Sequence, residues 1–225
     1  MPLWFSEGLV EGYGEKNNIL NIPLGYVDSN GEYVIRLEEP GKEIEFLQGF
    51  SEGLAAVSMR AVHSDGSIGP GVWGYINHSG EWSIQPTYEG AGDFHEGLSA
   101  VLKNGRWGYI DNTNKFVIPP QFESAMEFSE GLAAIRLKGQ WGYIDQTGAV
   151  VITPQFEHGG LFRSGMTTIG RNRKLGYIDK KGTVIISPNL DWGTEFVDGV
   201  AAISDSLGYG VVDTAGRMVC RLENK

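Results

Sequence analysis

Two hundred and twenty-five residues suffice for one large domain or two small ones with a substantial apolar core, and 41% hydrophobic with 20% charged residues excludes a compositionally disordered chain. No apolar run approaches the roughly 20 residues of a membrane helix, and a net charge of −10 opposes binding to nucleic acid or to an anionic membrane, so a basic or neutral partner fits better. Glycine, at 33 residues about double ordinary usage, points to many short strands and tight turns.

The chain opens Met-Pro-Leu-Trp, without the charged and apolar stretches of a secretory leader, which makes cytoplasmic residence the expectation. A phrase of the form aromatic-x-acid-Gly-Leu-Ala-Ala-Val then recurs from Phe5, Phe50, Phe94, Phe128, Phe162 and Phe196, the last four starts 34 residues apart. A second phrase follows it as GYVD at Gly25, WGYIN at Trp73, WGYID at Trp107 and Trp141, LGYID at Leu175 and YGVVD at Tyr209. A proline marks a third element at Pro86, Pro120, Pro154 and Pro188. Six copies therefore cover 5–49, 50–93, 94–127, 128–161, 162–195 and 196–225, and residues 1–225 read as a single repeat domain.

Within a copy the elements follow in order. Gly-Leu-Ala-Ala-Val alternates with period 2 and predicts strand one, its small residues allowing another layer to approach closely. Asn104-Gly105 supplies the positive φ angles of a tight hairpin turn. Trp-Gly-Tyr-Ile-Asp is strand two, and the Asp-x-x-Gly that follows, as in Asp145 to Gly148, has the chemistry of a type I turn closed by a left-handed residue. In copy three Asn114 takes the closing place, the non-glycine residue best suited to that conformation. Strand three is Val-Val-Ile-Thr-Pro or its equivalent, with the proline expected to end it because it cannot donate to a ladder. No segment has sustained helical periodicity.

These residues resemble the WG-repeat (KWG) family of bacterial proteins, named for the Trp-Gly of strand two, through FSEGLAAV, WGYID and VIxPQFE over nearly the whole chain. The resemblance implies a repeat protein of mostly unassigned function and brings no catalytic residues; Leu24, Leu175 and Tyr209 depart from it at the tryptophan. The expectation is an all-β chain of tandem three-stranded antiparallel repeats of about 34 residues forming an open β-solenoid-like array, since the unit is shorter than familiar propeller blades and the first and last copies are atypical, as caps are. The alternative is a closed six-bladed β-propeller.

Residues needed in every copy are best explained by the fold, so the repeated Phe, Gly, Tyr and turn Asp are read as structural. Trp73, Trp107 and Trp141 would form a row that stacks on sugar rings if exposed and is core if buried, with burial favoured by the flanking residues. Glu89, Glu123, Glu157 and Asp191, each 34 residues from the next, read as a solvated rim or as an acidic stripe for a basic peptide or divalent cations. Glycoside hydrolysis needs a unique carboxylate pair, which recurrence opposes. Cys220 excludes an internal disulfide and a cysteine-based zinc site and reads as a buried or edge-strand thiol. His63, His78, His95 and His158 lack metal-ligand spacing, and no nucleophile elbow or phosphate loop is present. The expectation is no catalytic residue, no metal, no cofactor and no enzyme activity.

Individuality lies in the interruptions. The glycines of strands one and two are 11 residues apart in copies three to six but 17 apart in copy one and 21 in copy two. Insertions of this kind map to loops on one face, often the binding face. Tyr13, Lys16 and Asn17 in the first and Arg60, His63, Asp65 and Ile68 in the second are the candidate contacts for a protein or peptide partner. The alternative function is glycan or cell-envelope binding through exposed aromatics.

Overall fold

The computed structural model describes residues 6–16 and 19–222. Its described residues form six small β-sheets in chain order. The first holds β1 (Val10–Lys16), β2 (Ile19–Val27) and β3 (Tyr33–Arg36), and the second β4 (Lys42–Leu47), β5 (Ala55–Val62), β6 (Ile68–Ile76) and β7 (Trp82–Tyr88). The third holds β8 (Gly90–His95), β9 (Leu98–Lys103), β10 (Arg106–Asp111) and β11 (Phe116–Phe122). The fourth is β12 (Ser124–Ser129), β13 (Leu132–Leu137), β14 (Gln140–Asp145) and β15 (Val150–Phe156), and the fifth β16 (His158–Gly159), β17 (Met166–Arg171), β18 (Lys174–Asp179) and β19 (Val184–Leu190). The sixth is β20 (Trp192–Gly193), β21 (Val200–Asp205), β22 (Gly208–Asp213) and β23 (Met218–Arg221). The chain divides into two compact units, 1–120 and 121–225.

Five of the six sheets have four strands, which corrects the expectation of three. The additional strand precedes the Phe-x-acid-Gly phrase, as in β8 and β12, and pairs antiparallel with the strand that follows it. Its sequences, such as Ser-Ala-Met-Glu-Phe-Ser, lack the alternation that marks the others. The phrase itself is a tight turn: Glu52 and Gly53 both have positive φ (53° and 81°), as do Glu130 and Gly131 (54° and 83°). The hairpin turn at Asn104-Gly105 (φ 53° and 70°) and the left-handed Asn114 (φ 66°) form as the sequence predicts.

The proline does not end strand three; β7, β11, β15 and β19 all continue through it. Each lies at a sheet edge, where a missing donor is tolerated. In β15 the register jumps from Tyr143↔Ile152 to Trp141↔Phe156, so Thr153, Pro154 and Gln155 bulge over Gly142. A Cβ on Gly142 would stand 2.5 Å from both the Ile152 carbonyl oxygen and the Pro154 nitrogen. The same crowding recurs at Gly74, Gly108 and Gly176. Glycine follows tryptophan here because another backbone occupies the space a side chain would need.

Ile152 and Phe156, four residues apart on β15, lie on one side, where they join Leu132, Ala134 and Tyr143 against Phe162, Ile169 and Ile178 of the next copy. Within each unit cores thus form between consecutive sheets, and strand one of the second sheet serves two of them. Ala55, Val57 and Met59 pack with the first sheet, while Leu54 and Ala56 pack with the third. Tyrosine bolts each such pair. Tyr75 meets Phe94 edge-on at 4.9 Å and donates its hydroxyl to the Gly92 carbonyl at 2.9 Å. In the second unit Tyr143 does the same with Phe162 (5.0 Å) and Gly160 (3.0 Å), and Tyr177 with Phe196 (5.1 Å) and Thr194 (2.6 Å). Burial pushes the Tyr143 phenol up to about 12, so it remains a donor throughout the neutral range.

Gly142→Ala is expected to lower unfolding free energy by about 3 kcal/mol, because the added methyl meets backbone rather than a yielding side chain. Tyr143→Phe, which removes one buried hydroxyl and leaves the Gly160 carbonyl without that donor, is expected to cost about 1.5 kcal/mol. Urea denaturation of the two variants beside the wild type checks the ranking.

Candidate functional site

The inserted residues of copies one and two lengthen the hairpins as paired strand rather than forming irregular loops. β1 pairs with β2 out to Lys16↔Ile19, and β5 with β6 out to Val62↔Ile68. The second tip is a turn closed by His63 N–H to Ser67 C=O at 2.9 Å, with Asp65 accepting from the Ser67 N–H at 2.9 Å. Tyr13 is half exposed on β1; Asn17 lies outside the described residues. His63, Asp65 and Ile68 are exposed, while Arg60 is partly buried 3.7 Å from Glu43, and its Nε is buried with no described hydrogen-bond partner. The structure groups Arg60, His63, Asp65 and Ile68 on one hairpin and leaves Tyr13 on the other.

Between the middle of β2 in the first hairpin and the tip end of β5 in the second lies a cavity of about 770 Å³. Pro23 and Leu24 of β2, Leu37 and Pro40 of the connection, Ile44 of β4 and Val62 of β5 give it apolar walls. Arg36, Glu38, Glu39, Lys42 and Glu43 supply the polar part. Two sequence departures coincide here. Leu24 stands where copies two to four have tryptophan, and the connection from Tyr33 to Phe50 is 17 residues, against 12 from Phe116 to Phe128. The longer connection is tied to the longer hairpin: the Val62 N–H donates to the Gly41 carbonyl at 2.8 Å, and Lys42 and Glu43 pair with Ala61 and Arg60. Sequence reasoning missed the connection, although a first copy of 45 residues carries more extra length than its hairpin accounts for.

The charges around the cavity differ in how they are engaged. Glu39 accepts from Lys42 Nζ and Trp82 Nε1, both at 2.6 Å, and the Lys42 contact above all holds its carboxyl below the usual range. Arg36 lies 4.1 Å over the Tyr33 ring. Glu38 is exposed, with no ion pair among the described residues.

The acids of the regular spacing have local work. Glu89 accepts from the N–H groups of Asn104 and Gly105 at 2.7 and 3.0 Å, and Glu123 from those of Lys138 and Gly139 at 3.0 and 2.9 Å. Glu157 accepts from Arg173 N–H at 3.2 Å, and Asp191 pairs with Lys174. The first three carboxylates therefore secure hairpin turns of their own sheets, whose positive φ angles aim successive N–H groups at one point. The acids of the Phe-x-acid-Gly phrase reach across instead: Glu52 accepts from Gly97 N–H and Glu130 from Gly165 N–H, each at 2.9 Å. Turn aspartates such as Asp145 accept from backbone N–H groups two and four residues on, and Thr147 donates its hydroxyl, which keeps the carboxyl below its ordinary 3.8.

Trp73, Trp107 and Trp141 are half-buried, not the fully buried row that was expected. Trp73 and Trp141 pack against the cores between their own sheet and the next, and Trp73 stacks on Phe46 at 6.1 Å. Cys220 is exposed on the edge strand β23.

A family model described as "WG containing repeat" matches residues 73–107, 107–141, 141–174 and 176–205. The comparison with curated proteins found no match. Among solved structures the chain is similar to "Kluyveromyces lactis Hsv2 complete loop 6CD", 11% identical over 84% of this chain and 66% of that one, with a TM-score of 0.44. It is also similar to "Crystal structure of BBS1N in complex with ARL6DN, soaked with mercury", 11% identical over 81% of this chain and 71% of that one, with a TM-score of 0.36.

Two outcomes follow from the carboxylates. Glu123→Ala is expected to lower stability by about 1 kcal/mol through its two exposed turn bonds, read as a fall in melting temperature. Because the folded turn aspartates titrate below their unfolded value, the unfolded chain binds more protons in acid. Their stabilisation is therefore complete above about pH 5 and is lost as pH falls through the folded value. Asp145→Asn, which copies the natural Asn77 of copy two, is expected to keep the turn and to flatten this acid limb in melts between pH 5 and 2.5.

Proposed function

We propose, from the premise that the chain belongs to the WG containing repeat family, that it is a non-catalytic binding module engaging a protein or peptide at the joined insertions of copies one and two. The observation that carries this is the coincidence of the cavity with the place where the repeat departs from itself. The connection and the hairpin are lengthened together and paired with each other, and a recognition surface needs an asymmetric feature of this kind. A basic partner suits the net charge of −10 and the exposed Glu38. The non-catalytic reading rests on how the recurrent polar groups are spent: Tyr143, Glu52 and Glu123 each hold backbone.

The reading takes the array as open. It is favoured by the last sheet, where Val200 is 40% exposed while its equivalents Leu54, Leu98, Leu132 and Met166 are buried. The second reading, glycan binding, rests on the half-exposed Trp73, Trp107 and Trp141 and predicts quenching of their fluorescence by saccharides.

The test is selection from a phage-displayed peptide library by the intact protein and by a variant whose His63–Ser67 tip is replaced by Asn-Gly. That change retains the Val62↔Ile68 pair and a turn that suits it. Peptides enriched in Lys and Arg that bind the intact protein, and the variant at least tenfold more weakly, are expected. Equal binding by both would move the site off the hairpin tip, and no selected peptide at all would overturn the reading.

A further inference from the structure

We infer that the cavity between the first and second sheets is a seat for an aromatic side chain of the partner, presented beside a basic residue. This deepens the proposed function and rests on it. Leu24, Gly25 and Tyr26 are the copy-one counterparts of Trp73, Gly74 and Tyr75, and of Trp141, Gly142 and Tyr143. Tyr26 behaves as its counterparts do, meeting Phe50 edge-on at 4.9 Å and donating to the Gln48 carbonyl at 2.7 Å. Tyr26 thus joins the two sheets as its counterparts do, while beside Leu24 strand three pairs without the bulge of the other copies, Gly25↔Arg36 and Tyr26↔Ile35 against Trp73↔Tyr88 and Tyr75↔Ile84. In those copies the indole fills space between consecutive sheets: Trp73 packs against the core of sheets two and three, and Trp141 against that of sheets four and five. At the corresponding place between sheets one and two the shorter Leu24 side chain borders open volume, walled on the far side by Ile44 and Val62.

The extended connection borders this space and furnishes its rim. Its Leu37 packs against the core of the first two sheets, so the apolar wall is anchored. The cations at the rim are engaged, Lys42 by Glu39 and Arg36 on the face of Tyr33, whereas Glu38 is exposed without an ion pair among the described residues. A guest with a flat apolar group for the walls and a positive charge for Glu38 matches both features. Seating an aromatic ring removes on the order of 150–250 Å² from water, the largest single contribution a side chain brings to such an interface.

The probes are the dipeptides Ac-Lys-Trp-NH₂, Ac-Lys-Ala-NH₂ and Ac-Gly-Trp-NH₂, titrated into the full chain with amide NMR shifts as the readout. Ac-Lys-Trp-NH₂ is expected to shift the amides of Leu24, Leu37 and Ile44 with at least tenfold higher affinity than Ac-Lys-Ala-NH₂. Leu24→Trp, which restores the residue of copies two to four, is expected to fill the seat from within, raising the melting temperature and weakening Ac-Lys-Trp-NH₂ at least tenfold. Glu38→Lys, an exposed change that leaves the walls intact, is expected to weaken Ac-Lys-Trp-NH₂ three- to tenfold and to leave Ac-Gly-Trp-NH₂ unchanged. Equal affinity for the Trp and Ala dipeptides, or unaltered binding in Leu24→Trp, would overturn the seat. If library-selected peptides still depend on the hairpin tip while Leu24→Trp binds them as the wild type does, the seat fails and the binding module stands. If the intact protein selects no peptide and binds no dipeptide, both fail.

Discussion

Every sheet that carries the full motif depends on two backbones passing closer than a side chain allows. Opposite Gly74, Gly108, Gly142 and Gly176 the edge strand bulges at its proline, and its Ile carbonyl comes within 2.5 to 2.6 Å of where a Cβ would be. This approach links features that look independent along the chain. The glycine admits the bulge, and the proline is harmless because an edge strand needs no donor there. The register jump, an even two residues, leaves Ile152 and Phe156 facing the same core and sets Phe156 opposite Trp141. Without that jump Pro154 rather than Phe156 would stand opposite Trp141.

Given such sheets, burial on both faces follows. Ala55, Ala56 and Val57 are all fully buried although neighbouring residues of a strand point to opposite sides. A strand of this kind reads as a continuous apolar run, and its small residues keep the layers close enough for Tyr75 to reach the Gly92 carbonyl of the next sheet. Polar residues of the motif are consumed in the same way, by carbonyls and N–H groups that the tight turns would otherwise leave unpaired. Copies one and two carry the sequence alterations that coincide with the cavity.

Much of this was legible in the sequence, and the reasons for the rest are physical. Asn104-Gly105 and Asn114 announced their conformations because few residues tolerate positive φ. The first strand of each four-stranded sheet was not legible. Ser124 to Ser129 is an edge strand interrupted by a register shift, and a bulged strand does not alternate. The prolines suggested strand ends because the sequence does not reveal which strand is an edge. The row of Glu89, Glu123 and Glu157 reads as a rim or a stripe because spacing records equivalence but not direction, and these side chains accept from the N–H groups of hairpin turns. The cavity was hidden for a different reason. An absence of volume at Leu24 becomes visible only once the indoles of Trp73 and Trp141 are seen to occupy the matching space.

The clasp made by the Phe-Ser-Glu-Gly turn has a direction. Ser51 donates to the Phe94 carbonyl at 2.6 Å and Glu52 accepts from the Gly97 N–H, whereas Ser129 and Glu130 reach Phe162 and Gly165. Each grip extends from one copy to the copy after it, between like parts some 33 to 45 residues apart in the chain. The donor and recipient of each of these bonds belong to the same recurring phrase, although copy five, with Arg163 and Ser164 in place of the serine and the acid, lacks both gripping side chains. By the same geometry, a lesion at one of these serines or glutamates is felt downstream, and the map of mutational damage is displaced by one copy from the map of the mutations themselves.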